Sequence, residues 1–169
     1  DLVIDLCNSV AVGVFGIVLS IAFCDISWTK KKKKWMLVFT AVIFLVQGIA
    51  YIGIAPEFGR FSYPLHTHLP LTIALWVLGG RPLWSAISVL TAYLCCELRR
   101  WLALVVIALI GGAGSTTQYV VELIVTLPLL WLLLKTAPAV RTISRYPVGI
   151  QCQFGAIPAL YYGFDYLTR

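Results

Sequence analysis

The chain has 169 residues, 60% of them hydrophobic and only 12% charged, with a net charge of +6 and a mean hydropathy of +0.92. Soluble domains carry about 25% charged residues, so this balance excludes an ordinary water-soluble fold and points to a membrane protein. Five of the 13 basic residues form one block, Lys30 to Lys34, and the others sit singly or in pairs between apolar runs. That is how membrane-boundary residues are distributed, and it does not suggest a nucleic-acid partner.

The expected fold is all-α: a polytopic bundle with six to seven hydrophobic segments, forming one transmembrane domain over residues 1–169. The first segment, about Leu2 to Cys24, is long enough for ~30 Å of hydrocarbon. Asp25 to Trp28 then read as an interfacial exit before the lysines. The second segment, about Trp35 to Ile54, contains Gln47 and leads into a turn-rich aromatic loop, Ala55 to Pro64. The third, about Leu65 to Leu78, reaches only ~21 Å and is broken by Gly79 to Pro82. The fourth, about Leu83 to Cys96, is equally short and carries Ser85, Ser88, Thr91 and Tyr93. The fifth, Trp101 to Ile110, ends in the glycine-rich run Gly111 to Thr117. The sixth, about Tyr119 to Leu134, holds Glu122 and Pro128 and precedes a basic loop with Lys135, Arg141 and Arg145. The seventh, about Val148 to Phe164, contains Gln151, Gln153 and Pro158.

Charge sets the expected topology. Lys30, Lys31, Lys32, Lys33 and Lys34 belong on the cytoplasmic side of a plasma membrane. Seven plain crossings would divide the basic residues about evenly between the two sides. A re-entrant segment at about 83–98 would instead put Arg81, Arg99, Arg100, Lys135, Arg141 and Arg145 inside with the lysines, leaving only Arg60 and Arg169 outside. The second arrangement is the expected one, and in it Arg99, Arg100 and Trp101, with Arg141 and Arg145, act as cytoplasmic anchors.

Few residues could carry chemistry. His66 and His68 point apart on a helix but share a face in an extended stretch. Interfacial hydrogen bonding, a ligand- or pH-sensing role and a metal site are all open to them, although no third ligand lies near. Glu122 is the one acid well inside an apolar run, where a carboxylate is costly and so a functional candidate. It either snorkels to the boundary or meets His66, His68 or Arg60. The five cysteines show no metal spacing and read as buried thiols. No nucleophile elbow, phosphate loop or spaced acid pair is present, so neither cofactor nor metal is expected. The chain lacks a starting Met and stops just after an apolar run, which reads as a piece of a longer protein.

The run Tyr63-Pro-Leu-His-Thr-His-Leu-Pro70, then Gly80-Arg-Pro-Leu-Trp84, Ser88 to Cys96 and Arg99-Arg-Trp101, resembles the multi-span N-terminal sensor region of bacterial sensor histidine kinases of the GHKL type. Pro158 to Thr168 is similar to the next part of that region, so the likeness covers roughly Phe61 to Thr168. It implies a continuation into a further span, a helical linker, a phospho-accepting histidine and a cytoplasmic ATP-binding kinase domain in cis. None of these lies within the chain, and neither His66 nor His68 would be the phospho-acceptor. The resemblance also implies a homodimer in the lipid bilayer and a secreted peptide or small-molecule signal. That signal would be met by the outer loops, with Arg60, Tyr63, His66, His68 and Glu122 as candidates. The alternative reading is a small membrane transporter or substrate-binding membrane subunit, built on the short broken segments. An intramembrane enzyme using the histidines ranks last, since no acid, base and nucleophile converge.

Overall fold

The computed structural model describes residues 2–53, 64–111 and 114–168, and among these the chain is helical with no strand. The helices are α1 (Leu2–Phe23), α2 (Lys30–Gly53), α3 (Leu69–Val77), α4 (Pro82–Ile110), α5 (Ser115–Ile143) and α6 (Val148–Thr168). A π-helical turn, Pro64–His68, runs directly into α3. Three helices are long and apolar enough to cross a membrane, over Leu6–Phe23, Lys30–Ala50 and Thr116–Ile143. They are α1, α2 and α5.

Local chemistry sets the ends. The Thr29 hydroxyl accepts the Lys32 backbone N–H at 3.3 Å, which caps α2 after a six-residue turn. Between α3 and α4 the chain reverses at Gly79, where φ is +110°, a conformation that suits glycine. Gly80 then passes so close to the bundle that a Cβ would lie 2.5 Å from Ser85 Oγ and 2.9 Å from the Leu75 carbonyl oxygen. Arg81 is extended and Pro82 opens α4, as expected for a proline that fixes φ and whose missing N–H costs nothing in a first turn. Gly111, at φ +69°, closes α4 in the left-handed conformation.

Helix α4 is the hub, packing against α1, α3, α5 and α6. Its buried face carries Trp84, Ser85, Ile87, Ser88, Val89, Thr91, Ala92, Arg99 and Ala103. Small side chains there let neighbouring backbones come close. The Trp84 indole N–H donates to the Phe23 carbonyl at 2.9 Å, satisfying one of the carbonyls left over at the end of α1. One apolar cluster gathers Ile17, Met36, Leu71, Leu75, Trp84 and Ile87, and a second gathers Phe15, Leu19, Phe23, Ala92, Leu129 and Ala137.

The three short turns meet at one end of the bundle, together with the lysines. Asp25 of the α1–α2 turn accepts from Ser144 Oγ at 3.2 Å and lies 3.8 Å from Arg145. Arg81 of the α3–α4 turn donates to the Ser144 carbonyl at 2.9 Å. Gln151 donates to the carbonyls of Ser144 and Tyr146 at 2.9 and 2.8 Å. This lysine-bearing end is therefore tied together by polar bonds, with α1 and α2, α3 and α4, and α5 and α6 running antiparallel away from it.

Several expectations need correction. The expected fourth and fifth segments are one continuous helix of 29 residues, so no break sets 83–98 apart as an element of its own. The hydroxyl side chains of this stretch are satisfied within the helix: Ser88 and Thr91 donate to the carbonyls of Trp84 and Ile87, both at 2.7 Å. Arg99, Arg100 and Trp101 lie about 26 Å along α4 from Pro82 at 1.5 Å per residue, far from the lysine-bearing end. They are not anchors on the lysine side. The expected basic loop is also helical. Lys135 and Arg141 belong to α5, and the Lys135 ammonium stands 3.6 Å from the Trp131 ring centroid. Only Arg145 is in the turn. The cysteines are mixed: Cys24 is buried, while Cys7 and Cys152 are exposed.

Candidate functional site

Away from the lysine-bearing end, two polar clusters sit on different faces of α4. The first joins α1, α4 and α5. Glu122 Oε2 accepts from Arg99 Nη2 at 3.0 Å and from Asn8 Nδ2 at 3.0 Å, and Oε1 accepts from Gln118 Nε2 at 3.0 Å. Arg99 Nη1 donates to Asn8 Oδ1 at 2.9 Å and to Thr126 Oγ1 at 3.2 Å. Thr126 in turn donates to the Glu122 carbonyl at 2.6 Å. Arg99 is 3% exposed and Glu122 4%, so the pair is sealed among helices.

Such a pair survives only because its lone pairs and protons are used. Two buried charges lose their hydration, and mutual attraction repays this only with good geometry and extra hydrogen bonds. Here the carboxylate accepts three side-chain bonds, and the guanidinium donates through both terminal nitrogens. Among the described residues, Arg99 Nε, which is buried, has no hydrogen-bond partner. The cluster is thus a charge-neutral clamp across three helices with one donor left over.

The second cluster joins the π-helical turn, α4 and α6. His68 Nδ1 and the Tyr162 hydroxyl are 3.1 Å apart. The His68 ring stands edge-on to Tyr93 and Tyr162, with centroids at 5.2 and 5.5 Å, and Tyr93 meets Tyr162 at 4.8 Å. The Tyr93 hydroxyl donates to Asp165, and Tyr166 stacks on Tyr162 at 4.8 Å. The turn itself is held to α2 by Gln47, which donates to Thr67 at 2.8 Å. A π-helical turn is rare and tends to occur at functional sites.

These positions sort the sequence-based candidates. Glu122 is in a built site, but its partners are Arg99 and Asn8; the expected contact with His66 or His68 is not the one formed. His68 is half-buried in the aromatic cluster, and His66 is half-buried on the same turn. Arg60 and Tyr63 lie outside the described residues. Among the described residues no group of three or more His, Cys, Asp or Glu side chains could hold a metal ion. Asn8, Thr126, Tyr93, Tyr162 and Asp165 are not site candidates on sequence grounds, while Gln118 ends the outer stretch Gly111 to Gln118 that the resemblance offers as a contact region. The signal that could have found the clamp was Arg99 itself: once α4 is read as one helix, an arginine in mid-run demands a buried acid, and Glu122 is the evident one.

Comparison with models of protein families, with curated proteins and with solved structures gave no match to this chain.

Proposed function

We propose that the chain is the multi-pass sensor region of a plasma-membrane sensor histidine kinase. It would receive a peptide or small-molecule signal at the end away from the lysines and relay it to a cytoplasmic kinase domain in cis. The observation that carries this reading is the Arg99–Glu122–Asn8 clamp, supported by the sequence resemblance described above. A signal can shift a helix bundle only if it favours one packing over another. A buried charge pair shared by three helices would supply such a packing difference if a signal parted it, because the closed and parted arrangements differ in how three helices meet. The lysine-bearing end is cytoplasmic in this reading. With six crossings, Lys30 to Lys34, Arg81, Lys135, Arg141 and Arg145 all lie toward that side, Arg99 is neutralised within the membrane, and Arg100, Arg60 and Arg169 fall toward the other side. The positive-inside rule then holds without a re-entrant segment.

The test is ATP-dependent autophosphorylation of the uninterrupted gene product in inverted membrane vesicles. Wild-type vesicles should incorporate phosphate on histidine, and Glu122→Gln should change the basal level several-fold. A gene product without a kinase domain, or equal phosphorylation in wild type and Glu122→Gln, would overturn the reading.

A further inference from the structure

Helices α1 and α2 touch at one place and part at another. Phe44 lies over Gly13, where an added Cβ would stand 3.0 Å from its ring. From there toward the lysine-bearing end the two helices leave a groove of ≈ 470 Å³, walled by Ile17, Ile21, Met36 and Leu37, with Trp28 and Lys33 also lining it. Trp28 precedes α2 and Lys33 is in its first turn, so they mark the lysine end of the groove. The groove is therefore apolar, closed at one end by Phe44 on Gly13 and cationic at the other.

We propose that this groove binds one anionic phospholipid, with an acyl chain between α1 and α2 and the phosphate at Lys33. The inference rests on the chain being embedded in a membrane and is independent of the sensor role. Charge complementarity selects the occupant. Lys33 is exposed and stands in a run of five lysines. The only acidic residue of the preceding turn, Asp25, is engaged with Ser144 and Arg145. Lys32 is turned elsewhere, donating to Ser27 at 3.4 Å. The first turn of α2 adds the positive end of a helix dipole to the same mouth. An uncharged acyl chain alone would leave these cations unmatched, and a zwitterionic head group would return a positive charge to them. Trp28 at the mouth suits the level of lipid head groups.

The experiment reconstitutes the protein into vesicles of equal phosphatidylglycerol and phosphatidylcholine, extracts it in mild detergent, and counts retained lipid by native mass spectrometry. The wild type should retain phosphatidylglycerol in preference to phosphatidylcholine. Lys33→Gln should lower that retention about fivefold, the effect of one basic side chain at an anionic surface. Lys30→Gln should lower it much less, and Thr40→Trp, at a residue that lines the groove on α2 between Leu37 and Phe44, should fill it and abolish retention. Equal retention of the two lipids would overturn the proposal. So would equal effects of Lys30→Gln and Lys33→Gln, which would indicate diffuse attraction by the whole run. Because Lys33 is exposed, its substitution tests the site without endangering the fold, and none of these outcomes depends on kinase activity.

Discussion

Arg99 Nη2 and Glu122 Oε2 stand 3.0 Å apart between α4 and α5, with their side chains 3% and 5% exposed. Removing one partner leaves the other charge buried and alone, which costs about 3–5 kcal/mol. Glu122→Gln and Arg99→Gln should therefore each destabilise the bundle by roughly that amount, read as thermal unfolding in detergent by circular dichroism. The double variant Arg99→Met/Glu122→Leu should recover most of the loss, because it removes both desolvation costs together. Additive losses in the double variant would mean that the two residues do not act as a pair.

The same pair shows where sequence reasoning reached and where it stopped. The all-helical class and the length of α1 were legible because hydropathy over a long apolar window is a local property, whereas α2 begins at Lys30 and takes in the lysines that hydropathy alone leaves outside. Glu122 was also legible, since a lone acid in such a window is costly wherever it ends up. Arg99 was not. Beside Arg100 and Trp101 it has the composition of a membrane boundary, and only the counter-ion on α5 makes an interior position tolerable. That counter-ion is 23 positions away in sequence, beyond any local pattern. The consequence spreads: a boundary placed at Arg99 divides α4 in two, and the charge count then favours a re-entrant segment at about 83–98. The aromatic cluster was hidden for a similar reason, because His68, Tyr93 and Tyr162 come from three elements.

The topology can be tested with single cysteines in a chain freed of its native ones. Thr29→Cys and Tyr146→Cys, both at exposed positions in turns at the lysine-bearing end, should react with a membrane-impermeant maleimide only in inverted vesicles. Thr168→Cys should react only in intact cells. Leu98, 48% exposed on α4, faces the bilayer in this reading, so Leu98→Cys should be unreactive from either side. Reaction of Leu98→Cys from the cytoplasmic side would restore a boundary near Arg99 and refute a membrane-crossing α4.

Close approach at the lysine-bearing end predicts a steric effect. At Gly80 an added methyl would meet Ser85 Oγ and the Leu75 carbonyl within 3 Å, and the carbonyl belongs to backbone that cannot swing aside. Gly80→Ala should cost about 1–3 kcal/mol through overpacking. At Gly155 the three nearest atoms all belong to the Ile87 side chain, the closest at 2.7 Å, so Ile87→Ala, which removes them, should make the double variant less destabilised than the sum of the two single ones. Thermal unfolding of the single and double variants distinguishes the two cases: a less-than-additive loss is expected at Gly155, while Ser85→Ala should rescue Gly80→Ala only slightly because the carbonyl contact remains.

The aromatic cluster offers a way to separate packing from polar bonding. Tyr162 contributes a ring against His68, Tyr93 and Tyr166 and a hydroxyl within bonding distance of His68 Nδ1. Tyr162→Phe keeps the ring and removes the hydroxyl, so it should cost about 1 kcal/mol, the net worth of one ordinary hydrogen bond. Tyr162→Ala removes the ring as well and should cost about 3–5 kcal/mol, in the range of large aromatic truncations. If the cluster only glues the π-helical turn to α6, then on the sensor reading proposed above the autophosphorylation response would follow these stability losses in order. If, on the sensor reading, it takes part in detecting the signal, Tyr162→Phe should shift the dose–response of autophosphorylation as much as Tyr162→Ala does despite its smaller stability loss, because both remove the hydroxyl beside His68 Nδ1. Paired measurement of unfolding and dose–response on the same two variants decides between these roles.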